Sequence, residues 1–149
     1  MNDEIQNALH REGMTLASIQ KRSFAFFIDE MLLSLILIIA LWDRFSPNMN
    51  LEETIVLTNT FILEYMLMKI IYQAFFVMQY GATLGKLAMK IRIIEIQTFA
   101  NPNVLVSLNR AIFRVISELL LYLGFLWGVL NPSHQAWHDL TAKTLVVNA

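Results

Sequence analysis

The 149-residue chain has room for one domain, spanning 1–149, and 56% of it is apolar while only 15% is charged, well short of the roughly one quarter charged that soluble domains carry. That shortfall points to lipid as the solvent. A net charge of −1 supplies no basic field for nucleic acid, and the absence of cysteine excludes disulfides and Cys-based metal sites.

The first 21 residues read as a polar, cytoplasmic segment. "MNDEIQNALHREGM" lacks the apolar core and small-residue cleavage site of a signal peptide. Insertion is therefore expected to rest on the chain's own helices. Residues 3–12 suggest a short interfacial helix using Ile5, Ala8 and Leu9. Three apolar stretches follow, at about 24–42, 54–80 and 111–130. A helix rises ~1.5 Å per residue, so roughly 20 residues cross the hydrocarbon core. The first and third stretches match that length, and the second is long enough to tilt.

The punctuation between them is polar. "DRFSPNMNLEET" reads as a tight loop, with Asn50 and Glu53 spaced as a capping box. Gly81 is placed to end the second helix, and Gly85 to permit a tight turn. "GATLGKLAMK" is not a phosphate loop, because three residues rather than four separate its glycines. "KIRIIEI" at 90–96 and "TLVV" at 144–147 read as short strands. Gly124 and Gly128 allow close helix approach, and Gly124 is alternatively a bend. In "NPSH", Asn131 is placed to cap a helix with Pro132 in its first position. "HQAWHD" has Gln135 where a zinc protease needs Glu, so it reads as an interfacial helix with Ala136, Trp137 and Leu140 toward lipid. No metal, cofactor or enzymatic activity is expected.

Arg11, Lys21 and Arg22 precede the first stretch, and Lys86, Lys90, Arg92 and Arg110 lie between the second and third. The first loop holds only Arg44, beside Asp43, Glu52 and Glu53. The positive-inside bias then makes the N-terminus and second loop cytoplasmic. Arg22 is expected at the headgroup edge, with Phe24 and Phe27 against lipid.

Charges also interrupt the apolar runs. Asp29 and Glu30 lie about two turns into the first helix, where each costs up to ~3 kcal/mol on insertion scales. Arg22 is about 10 Å away along the same axis, too far to close the gap. Partners are therefore expected on other helices. The second stretch offers Glu64 and Lys69, ~140° apart and so on different faces. Lys69 can meet Asp29 or Glu30. Arg114 and Glu118 form an i,i+4 pair. Three readings stay open: packing between helices, a polar path for an ion or proton, and snorkelling to the interface.

"LASIQKRSFAFFIDEMLL", "GATLGKLAMKIRIIE", "RAIFRVI" and "HQAWHDLTAKTLVV" occur in an order and spacing that resemble the RDD family of bacterial multi-pass membrane proteins. The resemblance covers residues 16–147. Arg22 matches the family's arginine, Asp29 its first aspartate, and Asp139, following His138, its second. Gly81, Thr83, Gly85 and Lys86 match its glycine-threonine stretch. Leu87, "NPSH" and Lys143 depart from the pattern and bear on local lipid or anion contacts. The resemblance implies a multi-pass inner-membrane protein, for which transport of an unidentified ligand is the usual suggestion.

The expected fold is an all-α integral membrane protein with two transmembrane helices. The third apolar segment is expected to bend near Gly124 and return as a re-entrant hairpin, in preference to a single span. "TLVV" then pairs with "KIRIIEI" as a small two-stranded sheet at the cytosolic face, and Asp139 joins Arg22. The leading functional expectation is a homo-oligomeric transporter of a small ion or solute, including proton-coupled monovalent cations. Its candidate path comprises Arg22, Asp29, Glu30, Glu64, Lys69, His138 and Asp139. Thr83, Gly85, Lys86, Arg92 and Arg110 are candidate interfacial lipid or anion contacts. The alternative is an accessory or scaffold protein that binds a partner protein or phospholipid.

Overall fold

A computed structural model describes residues 3–149. Helix α1 (Asp3–Arg11) is followed by α2 (Ile19–Ala40), a 3-10 turn (Trp42–Arg44), α3 (Leu51–Thr60), α4 (Ile62–Tyr80) and the short α5 (Leu84–Ala88). Strand β1 (Ile91–Glu95) leads into α6 (Val104–Leu119), α7 (Leu123–Leu130), α8 (Trp137–Thr141) and β2 (Thr144–Asn148).

Among the described residues, α2 is the one helix long and apolar enough to cross a membrane alone. Its 22 residues span about 33 Å, and its N-cap Ser18 accepts from Lys21 N. Each of two bent pairs meets the same length and composition test when counted as one broken span: α3–α4, bent by 54°, and α6–α7, bent by 104°.

The second apolar stretch is therefore not continuous, as 54–80 suggested. It starts at Leu51, behind the Asn50–Glu53 capping box, and breaks at Phe61. The hydroxyls of Thr54, Thr58 and Thr60 donate to the carbonyls four residues back, at 2.8–2.9 Å. Such back-bonding loosens the helical ladder and bends it.

The third segment also starts earlier than 111. Asn103 caps α6 by accepting from Val106 N at 3.0 Å. The segment turns at Leu121 and Tyr122, whose φ angles are +55° and +61°, while Tyr122 N donates to Ser117 O at 2.8 Å. The bend thus precedes Gly124. That glycine serves close packing instead, since a Cβ there would run into the Ser117 side chain and stand 3.0 Å from the Trp137 ring. A Cβ on Gly128 would likewise lie 3.2 Å from Ala136 N. Asn131 starts no helix; it is instead the C-terminal cap of α7, its N–H donating to Trp127 O at 2.9 Å. Its side chain accepts from Ser133 N at 3.0 Å in a local turn that also holds Pro132. Ala136 is buried and Trp137 partly so, leaving Leu140 as the outward apolar residue of α8.

The two strands pair antiparallel, from Ile91 opposite Asn148 to Glu95 opposite Thr144. Ala17 N adds a bond to Val146 O at 2.9 Å, which draws the start of α2 to the sheet. Ile91, Ile93 and Val146 pack on Ala17, Ala25 and Val77. Ile94, Leu145 and Val147 pack on Leu9, so α1 covers the sheet. Away from this small core the burial pattern inverts. Phe24, Phe27, Met31, Leu63, Leu67 and Ile71 are exposed, whereas Asp29, Lys69, Arg110 and Arg114 are buried. An apolar exterior around charged contacts suits lipid rather than water.

Candidate functional site

Three tiers of charge run between the helices. Helix α6 contributes to each, because Arg110, Arg114 and Glu118 recur every four residues on one face.

The first tier surrounds Asp139, which is fully buried. The fold-back of α7 and α8 carries it to the first turn of α2, where Arg22 pairs with Oδ2. Arg110 pairs with Oδ1 and also donates to the Thr144 hydroxyl. Ala136 N donates to Oδ2 at 3.0 Å. Arg22 uses its other Nη on the His134 carbonyl. It therefore turns inward rather than toward headgroups, while Phe24 and Phe27 do face outward. Burial alone would raise the Asp139 carboxyl. The Arg22 and Arg110 guanidiniums outweigh it and hold the group well below the usual carboxylate range. Burial drives the neighbouring His138 well below its ordinary value, against the pull of Asp139.

The second tier is Asp29, also fully buried. Its Oδ1 accepts from Tyr72 OH at 2.7 Å and Gly85 N at 2.8 Å, and its Oδ2 accepts from Thr83 Oγ1 at 2.7 Å. Arg114 Nη1 lies 3.8 Å from Oδ2. This carboxylate clamps the Gly-Lys turn onto α2. Thr83 also caps α5. Gly85 has no room for a side chain, because a Cβ would run into the Ala25 carbonyl and stand 2.8 Å from Asp29 Oδ1. Thr83 and Gly85 are thus committed inside the protein.

The third tier joins Glu30, Lys69, Arg114 and Glu118. Lys69 Nζ lies 2.8 Å from Glu30 and pairs with Glu118 as well. Arg114 reaches both carboxylates at 3.5 Å. Tyr65 OH donates to Glu30 at 3.4 Å and lies 3.4 Å from Ser34 Oγ. Lys69 therefore meets Glu30 rather than Asp29. The Arg114–Glu118 pair forms, but both residues also bind other helices.

Two candidate path or contact residues stand apart. Glu64 is exposed and makes no ion pair among the described residues, consistent with its ~140° offset from Lys69. Arg92 is half-buried on β1, opposite Val147 and away from these tiers. Arg110 sits inside the first tier rather than at an interface. Sequence reasoning missed Tyr72, the reach of Arg110 to Asp139 and the Lys69–Glu118 bond. The four-residue spacing along α6 was the available signal for two of these.

The model of the RDD family matches residues 16–143. The chain belongs to the RDD family. No curated protein and no solved structure matches it. Family membership and the apolar helices identify a membrane protein. In this RDD protein Arg22, Asp29 and Asp139 divide between tiers: Arg22 and Asp139 form one ion pair, and Asp29 holds the adjoining turn.

A cavity of about 470 Å³ opens beside the first two tiers, between the start of α2 and the folded-back α7 and α8. Arg22, Lys86, Arg114, His134 and His138 line its polar side. Phe26, Tyr122, Phe125, Leu126 and Val129 supply its apolar lining, with Phe26 against Arg114 and Phe125 against His138. Burial, then Arg114, Arg110 and Arg22, push the Lys86 ammonium down to about 7, against the opposing pull of Asp29. Among the described residues no group of three His, Asp or Glu is placed to hold a metal ion.

Proposed function

We propose that this RDD protein is an inner-membrane transporter of a small ion or solute, with its N-terminus cytoplasmic and its buried charges forming the path. The carrying observation is the succession of three tiers of buried charge along α2 and α6: Arg114 joins the second to the third, and the cavity lined by Arg22, Lys86 and Arg114 lies between the first and the second. The tiers run from Asp139 and Arg22 through Asp29 and Arg114 to Glu30, Lys69, Glu118, Tyr65 and Ser34. Arg22 and Ser34 are twelve residues apart on α2, about 18 Å by helix rise. That is over half of a ~30 Å hydrocarbon core. Alternating acids and bases at such depth are expensive, and they suit ion or proton relay.

In this reading α6–α7 is a re-entrant hairpin, so the strands and both ends of the first tier share the cytosolic face. The column ends at Ser34, so a second subunit, or opening at the Phe61 break, completes the path. No enzymatic chemistry and no nucleic acid enters the reading. Purified protein in liposomes should carry one of a panel of ions with a pH-dependent rate, and Glu30→Gln should abolish that flux while the protein stays folded. Absence of flux for every cation, anion and proton gradient tested would remove the proposal.

A second reading is a membrane accessory or scaffold protein. The observation favouring it is the full pairing of Asp29 and Asp139, which orders the helices without any moving ion. It predicts no flux and a co-purifying partner.

A further inference from the structure

Lys86 is unusual among the inward-facing cations. Its residue is only 8% exposed, yet its Nζ makes no ion pair or hydrogen bond among the described residues. Two more polar atoms nearby also lack a partner. The Nδ1 atoms of His134 and His138 are buried without partners. All three residues line the same cavity, beside Arg22 and Arg114. No carboxylate lines it among the described residues. Buried polar groups without partners are rare and point to a missing ligand or water.

The charge count agrees. Five inward cations, Arg22, Lys69, Lys86, Arg110 and Arg114, face four carboxylates, Asp29, Glu30, Glu118 and Asp139. One positive charge is left over when Lys86 is protonated, and Lys86 is the cation without a counter-ion.

The apolar lining decides what kind of anion fits. Phe26, Phe125, Leu126 and Val129 present apolar surface beside the cations, and Leu126, Val129 and Leu130 of α7 are also exposed. A free, hydrated anion would lose water against that lining without return. An acyl chain gains from it and can continue along α7 into the bilayer. The volume, about 470 Å³, lies within the ~300–1,000 Å³ of ligand pockets.

We propose that this cavity binds an anionic phospholipid, its phosphate held by Lys86 with Arg22, Arg114 and the two histidines, and its acyl chains lying against the α7 wall. The inference stands apart from transport, because it requires no ion to move along the charged column.

The test uses full-length protein purified in a neutral detergent and stripped of lipid. Phosphatidylglycerol, phosphatidylcholine and inorganic phosphate are added separately. Bound lipid is followed by native mass spectrometry, and acetylation of Lys86 is quantified against Lys21, Lys90 and Lys143. Phosphatidylglycerol should bind at one per chain and slow Lys86 acetylation about tenfold, while Lys86→Gln should weaken its binding about tenfold, the effect of losing one charge-assisted contact. Phosphatidylcholine and inorganic phosphate should leave Lys86 as reactive as in lipid-free protein. Equal retention of phosphatidylcholine would overturn the proposal, because the apolar wall alone would then explain binding. Equal protection by inorganic phosphate would overturn it in favour of a free-anion site. Phosphatidylglycerol binding with unchanged Lys86 labelling would overturn it by placing the lipid elsewhere. The labelling arm uses the unmodified chain and decides the matter even where Lys86→Gln fails to fold.

Discussion

Replacing Lys86 with methionine should stabilise the lipid-free protein, most strongly at low pH. The substitution keeps most of the side-chain volume and removes a charge buried near Arg22, Arg110 and Arg114, with Asp29, His134 and His138 as the other nearby titratable groups. The Lys86 ammonium sits at about 7 in the folded state, against ~10.4 for a free lysine. Below pH 7 both folded and unfolded chains hold the proton, so the burial penalty is fully present and independent of pH. Between about 7 and 10 the unfolded chain binds the proton that the folded chain has released, and stability rises with pH. At 1.36 kcal/mol per pH unit, the penalty below pH 7 is on the order of 4 kcal/mol. Denaturant titration in lipid-free neutral detergent should therefore show Lys86→Met ahead of the parent protein by a few kcal/mol at pH 6, and level with it near pH 10. A stability difference that is the same at both pH values, or a less stable variant at pH 6, would refute the reasoning.

Asp139→Asn leaves Arg22 and Arg110 together without a counter-ion and should cost about 3–5 kcal/mol in the same titration. Because the two arginines depress the Asp139 carboxyl, the parent protein should keep this contribution as pH falls to about 4 and lose it only further down, on approach to the folded-state value. Thr83→Val removes the hydroxyl that donates to Asp29 and should cost about 1–3 kcal/mol, since a buried carboxylate loses a donor. Gly85→Ala should prevent accumulation of folded protein in membranes, measured by resistance to mild-detergent extraction and aggregation, because its Cβ meets backbone rather than a movable side chain. A C-terminal fluorescent protein should glow in the cytosol, while a C-terminal phosphatase fusion should be inactive. Active external phosphatase would place β2 opposite to the proposed side.

The features legible in the sequence are those with a local cause. The Asn50–Glu53 capping box, the Gly81 helix end and both strands follow from residue chemistry within a few positions. The meeting of Arg22 with Asp139 was also accessible, because two short strands without partners would leave backbone groups unpaired unless the chain returned. The break at Phe61 was missed although Thr54, Thr58 and Thr60 were in view. Their hydroxyls bend a helix only when they turn back on its carbonyls, and composition does not fix that choice. Tyr72 was missed for a different reason. On a mostly apolar helix it reads as packing, and its bond to Asp29 exists only once α4 and α2 are side by side. Gly124 was given the bend because glycine tolerates positive φ, yet Leu121 and Tyr122 adopt it. The glycine was needed just after, where the Ser117 side chain and the Trp137 ring leave no space.

The two acids in "RSFAFFIDEMLLSL" resolve differently. Glu30 is one of two carboxylates, with Glu118, that share Lys69 and Arg114, and each member has an alternative partner. Such a tier can exchange partners without leaving a charge bare. Asp29 has no such freedom. Three donors from Tyr72, Thr83 and Gly85 occupy it at 2.7–2.8 Å, and moving it would release the turn that carries Lys86. Asp29 therefore fixes the position of the cation without a counter-ion, while Arg22 and Asp139 fix the α8 region that brings His134 and His138 to the same polar side of the cavity. On this geometry Arg22, Asp29 and Asp139 do not converge on one ligand. They hold the polar side of the cavity in register, and Lys86 is the residue there whose charge a bound anion would balance.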